Sequence, residues 1–186
     1  AHELVILIPI LTLGKSGGIR VLSFFANNWK ILGAEVKILA YYGNDKPYFP
    51  IDVDIIWVNE KGVEQITNDV NLNVRNSVFK RVVGIYHYLR KNSNKFDVVI
   101  ANQNISTWPV IFGSKVKNFY YIQAYEPEFF CDLSLKGIIQ RITAWLTYLL
   151  PLTRIVNADI YKSYKNLKSK HVIPPGLNLN RSEEHT

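Results

Sequence analysis

The sequence predicts an α/β domain built on a doubly wound parallel sheet. Short, continuously apolar runs of the kind that suits strands buried on both faces recur along the chain, segments of helical period separate them, and glycine- or proline-bearing turns join them. Strands separated by helices on this rhythm imply right-handed βαβ units, and a single Rossmann-like unit accounts for them without an internal repeat or a low-complexity linker.

Taken in order, Glu3 to Ile8 (E-L-V-I-L-I) is an apolar run closed by Pro9 and reads as the first strand. The loop from Pro9 to Gly18 feeds a helix whose stripe is Val21, Leu22, Phe25, Trp29 and Leu32, with Gly33 as its stop. Val36 to Tyr41 and Val53 to Val58 follow as strands, with a turn-rich connection from Gly43 to Pro50. Val78 to Lys91 carries Val78, Val82, Tyr86 and Leu89 at helical spacing, and Phe96 to Ala101 is the next strand. A short helix from Ile105 to Gly113, interrupted near Pro109, then leads to a strand at Phe119 to Ala124. Ser134 starts a long, mostly apolar helix to Leu150, expected to pack against the sheet, although Lys136, Arg141 and Trp145 also suit a membrane surface. Arg154 to Asn157 is a short strand, Ala158 to Leu167 a helix and His171 to Pro174 a last strand.

The 186 residues are 48% hydrophobic and 20% charged, a globular balance that excludes disordered and fibrous classes and gives enough chain for one core. The single Cys131 cannot form a disulfide within the chain, and a reducing, cytoplasmic setting is the simpler expectation. No apolar run is long enough to span a bilayer, so the expected membrane contact is at most peripheral, at the inner face of the plasma membrane. Lys and Arg outnumber Asp and Glu by 22 to 15, which favours phosphates, anionic lipid headgroups or nucleic acid; the excess is spread along the chain, so a nucleic-acid arm is not indicated and no nucleic-acid partner is expected. The sequence has no Met, so its N-terminus is read as processed or incomplete. Arg181 to Thr186 (R-S-E-E-H-T) resembles a sequencing-library adapter read in frame, so residues 1–180 are taken as the domain and 181–186 as a non-native tail.

Several constellations bear on chemistry. Gly14, Gly17 and Gly18 lie between the first strand and first helix, where open α/β sheets bind anions; the alternative is a tight turn that needs positive φ. A Walker A loop would need glycine where Pro9 stands, and the spacing G-x-x-G-G departs from the dinucleotide fingerprint G-x-G-x-x-G, which weakens ATPase and NAD-enzyme readings. Gln123 to Phe130 (Q-A-Y-E-P-E-F-F) follows a strand, and Glu126 and Glu128 flank Pro127, so this loop suits a general base or acceptors for sugar hydroxyls. Asn102, Gln103 and Asn104 lie at the same edge and suit hydroxyl groups or a turn. His87, His171 and His185 show no metal-ligand spacing, and no metal or other cofactor is expected.

Four segments in order, G-G-I-R (Gly17 to Arg20), G-A-E-V (Gly33 to Val36), Y-I-Q-A-Y-E-P-E-F-F (Tyr121 to Phe130) and V-I-P-P-G-L-N (Val172 to Asn178), resemble the N-terminal domain of a GT-B glycosyltransferase. The resemblance is to group 1, or family 4, and within it to rhamnosyltransferase-like members of surface-polysaccharide pathways. It implies a parent enzyme that retains anomeric configuration and transfers a sugar, with rhamnose among the candidates, from a nucleotide-diphosphate donor to a glycan or lipid-linked acceptor. It further implies that Gly17 and Gly18 meet the donor diphosphate, and that Asn102, Gln123, Tyr125 and Glu126 lie on the acceptor side. Glu126 would be the catalytic candidate, since Tyr120 to Phe130 contains no His, and Pro174, Pro175 and Gly176 would form the hinge to a donor domain absent from this sequence. The alternative is a noncatalytic Rossmann-like module that binds a nucleotide or an anionic glycan; an oxidoreductase with an atypical glycine loop is a third reading.

Overall fold

The computed structural model describes residues 3–43, 46–66, 77–124, 127, 134–164 and 167–175. Tyr125, Glu126, Glu128, Cys131, Gly176 and the tail 181–186 lie outside the described residues. Eight strands form one sheet: β1 (Val5–Pro9), β2 (Glu35–Tyr41), β3 (Asp54–Val58), β4 (Glu64–Gln65), β5 (Val98–Ala101), β6 (Lys117–Ile122), β7 (Thr153–Val156) and β8 (His171–Val172). Their order across the sheet is β4-β3-β2-β1-β5-β6-β7-β8. All neighbouring pairs are parallel except β3 with β4, so the strand direction is uniform from β3 to β8. The edge strand β4 had no sequence signal: two residues are too short to show alternation.

Four helices cross over: α1 (Gly17–Ile31), α2 (Val78–Asn92), α3 (Asn104–Gly113) and α4 (Leu135–Thr147). Residue alternation along β1 divides the core, because Ile6 and Ile8 belong to a cluster with Leu22, Phe25 and Ala26 of α1, while Leu7 belongs to a cluster with Ile85 and Leu89 of α2 and Val110 of α3. α1 therefore covers one face, and α2 and α3 the other. Serine side chains cap three of these helices, with Ser16, Ser77 and Ser134 Oγ accepting from the N–H of Ile19, Lys80 and Gly137. α1 ends as predicted at Gly33, whose φ of 94° lets Gly33 N–H reach Lys30 O and Ala34 N–H reach Trp29 O.

Some expectations need correction. Pro109 does not interrupt α3, which runs unbroken from Asn104 to Gly113 with Pro109 buried inside it. The ring removes one hydrogen bond, to the Ile105 carbonyl, and packing of the helix outweighs that loss. The segment after β7 is a 3-10 turn over Asp159–Ser163 rather than a full helix to Leu167. Leu32, placed on the buried stripe of α1, is 82% exposed because the helix has already turned into its cap there. α4 departs furthest. Its buried residues are Gly137, Ala144 and Thr147, it packs beside α3, and its large apolar side chains face outward, so the expectation of a helix packed on the sheet by its apolar stripe is wrong.

Among the described residues no helix covers the β5–β8 half of the α1 face. An apolar cleft of about 510 Å³ lies there, lined by Leu4, Trp29, Val98, Phe119, Ile155 and Ile173. Above it Tyr121 ties the sheet margin together: its ring meets Phe25 edge-on at 5.4 Å and its hydroxyl donates to Ile173 O at 2.8 Å.

Two predictions follow from packing. A Cβ at Gly84 would sit 2.5 Å from the Asn59 carbonyl oxygen, a backbone atom that cannot swing aside, so Gly84→Ala should lose about 1–3 kcal/mol in urea unfolding. Burial pushes the Tyr121 hydroxyl up to about 12. The native state thus keeps a proton that the unfolded chain releases from about pH 10, and stability from this group is present below pH 10 and lost from there towards pH 12. Tyr121→Phe should flatten that alkaline limb in a pH series of thermal unfolding.

Candidate functional site at the carboxyl edge of the sheet

Parallel strands place all their carboxyl ends at one edge, and the strand order reverses between β1 and β5. The first residue past β5 is Asn102, which is 4% exposed and whose Nδ2 donates to Pro9 O, at the end of β1, at 2.6 Å. The side chain thereby bridges the two strands at the point of reversal. Its Oδ1 is buried and has no hydrogen-bond partner among the described residues. Ser106 Oγ in the first turn of α3 accepts from both the Asn102 and Gln103 N–H groups at 3.2 Å, which fixes this backbone. Asn104 is buried, so of the three carboxamides here none but Gln103 is even partly open to solvent.

On the other side of the reversal the β1–α1 loop delivers Gly17 and Gly18 as the first two residues of α1. Neither these glycines nor Gly14 has positive φ, so the alternative of a strained turn falls away. Ser16 Oγ takes the Ile19 N–H, and the Gly17 and Gly18 N–H groups have no hydrogen-bond partner among the described residues. The first turn carries no acidic residue, Lys15 and Arg20 are exposed beside it, and the helix end adds its own partial positive charge. A Cβ on Gly17 would meet nothing within 4 Å, whereas one on Gly18 would come within 3.1 Å of Gln123 Nε2.

That contact joins two predicted site residues. Gln123, just past β6, donates from Nε2 to Gly18 O at 3.3 Å, and its own carbonyl accepts from Asn157 Nδ2 at 2.7 Å. Asn157 stands just past β7, and sequence reasoning placed it inside a strand and missed its role. Three neighbouring parallel strands thus end in a carboxamide: Asn102 after β5, Gln123 after β6 and Asn157 after β7. Arg81 was also missed. One turn into α2, its guanidinium donates to Leu11 O at 3.0 Å and adds a cation behind the β1–α1 loop. Neither residue stands in a motif; only its position one residue past a strand, or one turn past a helix start, would have pointed to it.

Pro174 and Pro175 are exposed and follow β8, so the described chain leaves the sheet at the same edge. Among the described residues no three His, Cys, Asp or Glu side chains gather as a metal site would require.

This arrangement has counterparts among solved structures. A sucrose-phosphate synthase structure from Thermosynechococcus elongatus superposes with a TM-score of 0.55 at 14% identity, covering 97% of each chain. Apo UGT2 of Phytolacca americana gives 0.58 at 11% identity over 98% of this chain and 54% of that one. The same UGT2 complexed with UDP-2-fluoro-glucose and pterostilbene gives 0.56 at 12% identity, over 94% of this chain and 53% of that one. The fold is that of one Rossmann-like half of a GT-B glycosyltransferase. The GT-B-like chain spans about half the length of the UGT2 chains. No family model matches the sequence. A stretch of 59 residues is 34% identical to the 2,3-bisphosphoglycerate-independent phosphoglycerate mutase of Methanococcus maripaludis (strain C6 / ATCC BAA-1332), over 32% of this chain and 14% of that protein.

The carboxamide braces make a testable prediction for this GT-B-like half. Asn102→Ala would strand the Pro9 carbonyl in a buried setting and should cost about 1–3 kcal/mol in urea unfolding, against about 1 kcal/mol for Asn157→Ala. Equal, negligible losses in both variants would show that the edge does not depend on them.

Proposed function

We propose that the chain is the acceptor-side domain of a retaining, metal-independent glycosyltransferase of the family 4 type. In this reading the whole enzyme moves a sugar, rhamnose being the first to try, from a nucleotide-diphosphate donor to a glycan or lipid-linked acceptor in surface-polysaccharide assembly. The observation that carries it is the carboxyl edge, where the Gly17 and Gly18 N–H groups, without a hydrogen-bond partner among the described residues, stand against Gln123 at a cationic helix start. The donor diphosphate, held chiefly by a second domain, would approach these N–H groups, which would stabilise the charge that builds on it as the glycosidic bond to the sugar breaks. Gln123 would orient the acceptor together with Tyr125 and Glu126, and Glu126 would position the acceptor hydroxyl or take its proton. Asn102, with its amide spent on Pro9 O, would act by holding the two strand ends in place. Pro174, Pro175 and Gly176 would lead into the second domain.

The test is release of nucleoside diphosphate by the full-length gene product over a panel of nucleotide sugars, beginning with dTDP-rhamnose, with and without acceptor. Because residue 17 is exposed and a Cβ there would meet no protein atom within 4 Å, Gly17→Val should keep the melting temperature while kcat/KM falls about tenfold to a hundredfold, or about 1.4–2.7 kcal/mol. Turnover unchanged by Gly17→Val would remove the diphosphate assignment. Nucleotide binding by the full-length protein without turnover on any sugar would favour a noncatalytic module instead.

A further inference from the structure

α4 is amphipathic in the wrong sense for a helix of a buried layer. Leu135, Ile138, Ile139, Ile142, Trp145 and Leu146 fall on one stripe and are 39–75% exposed, while the small residues Gly137 and Ala144 are the buried ones. These small residues are buried on a helix that packs beside α3, and an apolar stripe remains facing water, where such a continuous patch marks a contact surface. At 100° per residue, Lys136 and Arg141 fall on opposite borders of that stripe. From residue 134 through residue 158 the sequence contains no Asp or Glu, while it contains Lys136, Arg141 and Arg154.

We propose that α4 docks in the plane of an anionic lipid bilayer, its stripe at the boundary between headgroups and acyl chains and its two cations at the headgroups. The borders carry the choice of occupant. Lys and Arg stems can lie along apolar surface while their charges reach outward to phosphate, and Trp145 has the apolar body and polar N–H suited to the headgroup level. A second copy of the same face would bring cation against cation with no carboxylate on the helix to offset it. Thirteen residues make about 20 Å of helix, too short to cross about 30 Å of hydrocarbon, so the helix lies along the surface. No helix among the described residues is long and apolar enough to span a membrane. The inference stands on α4 alone and does not depend on the transferase reading.

The experiment is flotation of the 186-residue chain with phosphatidylcholine vesicles, plain or containing about a third phosphatidylglycerol. Flotation with the anionic vesicles is expected, weakening several-fold as salt rises to about 0.5 M. The doubly substituted Ile139→Asp, Ile142→Asp chain should lose at least about tenfold in apparent affinity, with an unchanged melting temperature because both positions are exposed. Lys136→Glu with Arg141→Glu should abolish the preference for phosphatidylglycerol. In the parent chain vesicles should shift indole emission to shorter wavelength, and Trp145→Phe should remove that shift. Failure to float with anionic vesicles at low salt, or flotation indifferent to phosphatidylglycerol, would overturn the proposal. So would a lipid-free dimer in sedimentation equilibrium that the Asp variants dissolve, because the stripe would then belong to a second copy.

Discussion

The carboxyl edge of the sheet is organised around one bridge, the carboxamide of Asn102 donating to the Pro9 carbonyl across the reversal of strand order. A parallel sheet wound outward in both directions from β1 and β5 leaves a crevice at their carboxyl ends, because the β1–α1 and β5–α3 connections depart to opposite faces. Something must hold the two strand ends in register without filling that crevice. A buried side chain with one satisfied donor does this: it spans the gap with a single short hydrogen bond, and Ser106 Oγ fixes its backbone from the side. The other edge features inherit their placement from it. Gly18 follows β1 and Gln123 follows β6, next to β5, so their 3.3 Å hydrogen bond rests on those strand ends staying aligned.

The residues around the crevice divide their labour by strand. Asn102 and Asn157 spend their amide donors on main-chain carbonyls, of Pro9 and Gln123, and act as braces. Gln123 lies between them and turns its side chain outward onto the start of α1, the one carboxamide of the three that reaches the glycine pair. The two glycines also differ. Gly18 is hemmed in by Gln123, so glycine there serves a close approach within the protein, whereas the space beside Gly17 is open and only an incoming group could use it. The steric demand at residue 18 and the lack of one at residue 17 separate a packing glycine from a binding glycine inside one dipeptide.

Most of the fold could be read from apolar runs because strands of a parallel sheet covered on both faces have no polar alternation to confuse the signal, as in the runs ending at Pro9 and Tyr41. Gly33 and Ser134 marked a helix end and a helix start for local reasons that the neighbouring sequence contains. Reading failed where the deciding contact was remote. α4 has an apolar stripe whether it faces the sheet or the solvent, and only the burial of Gly137, Ala144 and Thr147 in the folded chain shows which side is turned inward. Pro109 looked like a break because the packing around α3 cannot be seen locally. Asn157 gave no sign of its role, since its partner is a main-chain carbonyl 34 residues away. The glycine pair was recognised as a candidate, but the division between Gly17 and Gly18 needed the position of Gln123.

The positive charge of the chain is placed rather than merely spread. Lys15 and Arg20 flank the start of α1, and Arg81 backs the loop before it through Leu11 O, with no acid in the first turn of that helix to cancel them. α4 lies on the crossover between the parallel strands β6 and β7, which the chain enters from the carboxyl edge that also carries the glycine pair. A surface on which α4 rests would therefore sit beside the crevice. Were that surface a bilayer, the cations at the start of α1 would add to the attraction of anionic headgroups over about a Debye length. The two proposals remain separable because they use different side chains: charge reversal at Lys136 and Arg141 leaves the Gly17 and Gly18 N–H groups untouched, and Gly17→Val leaves the α4 stripe untouched.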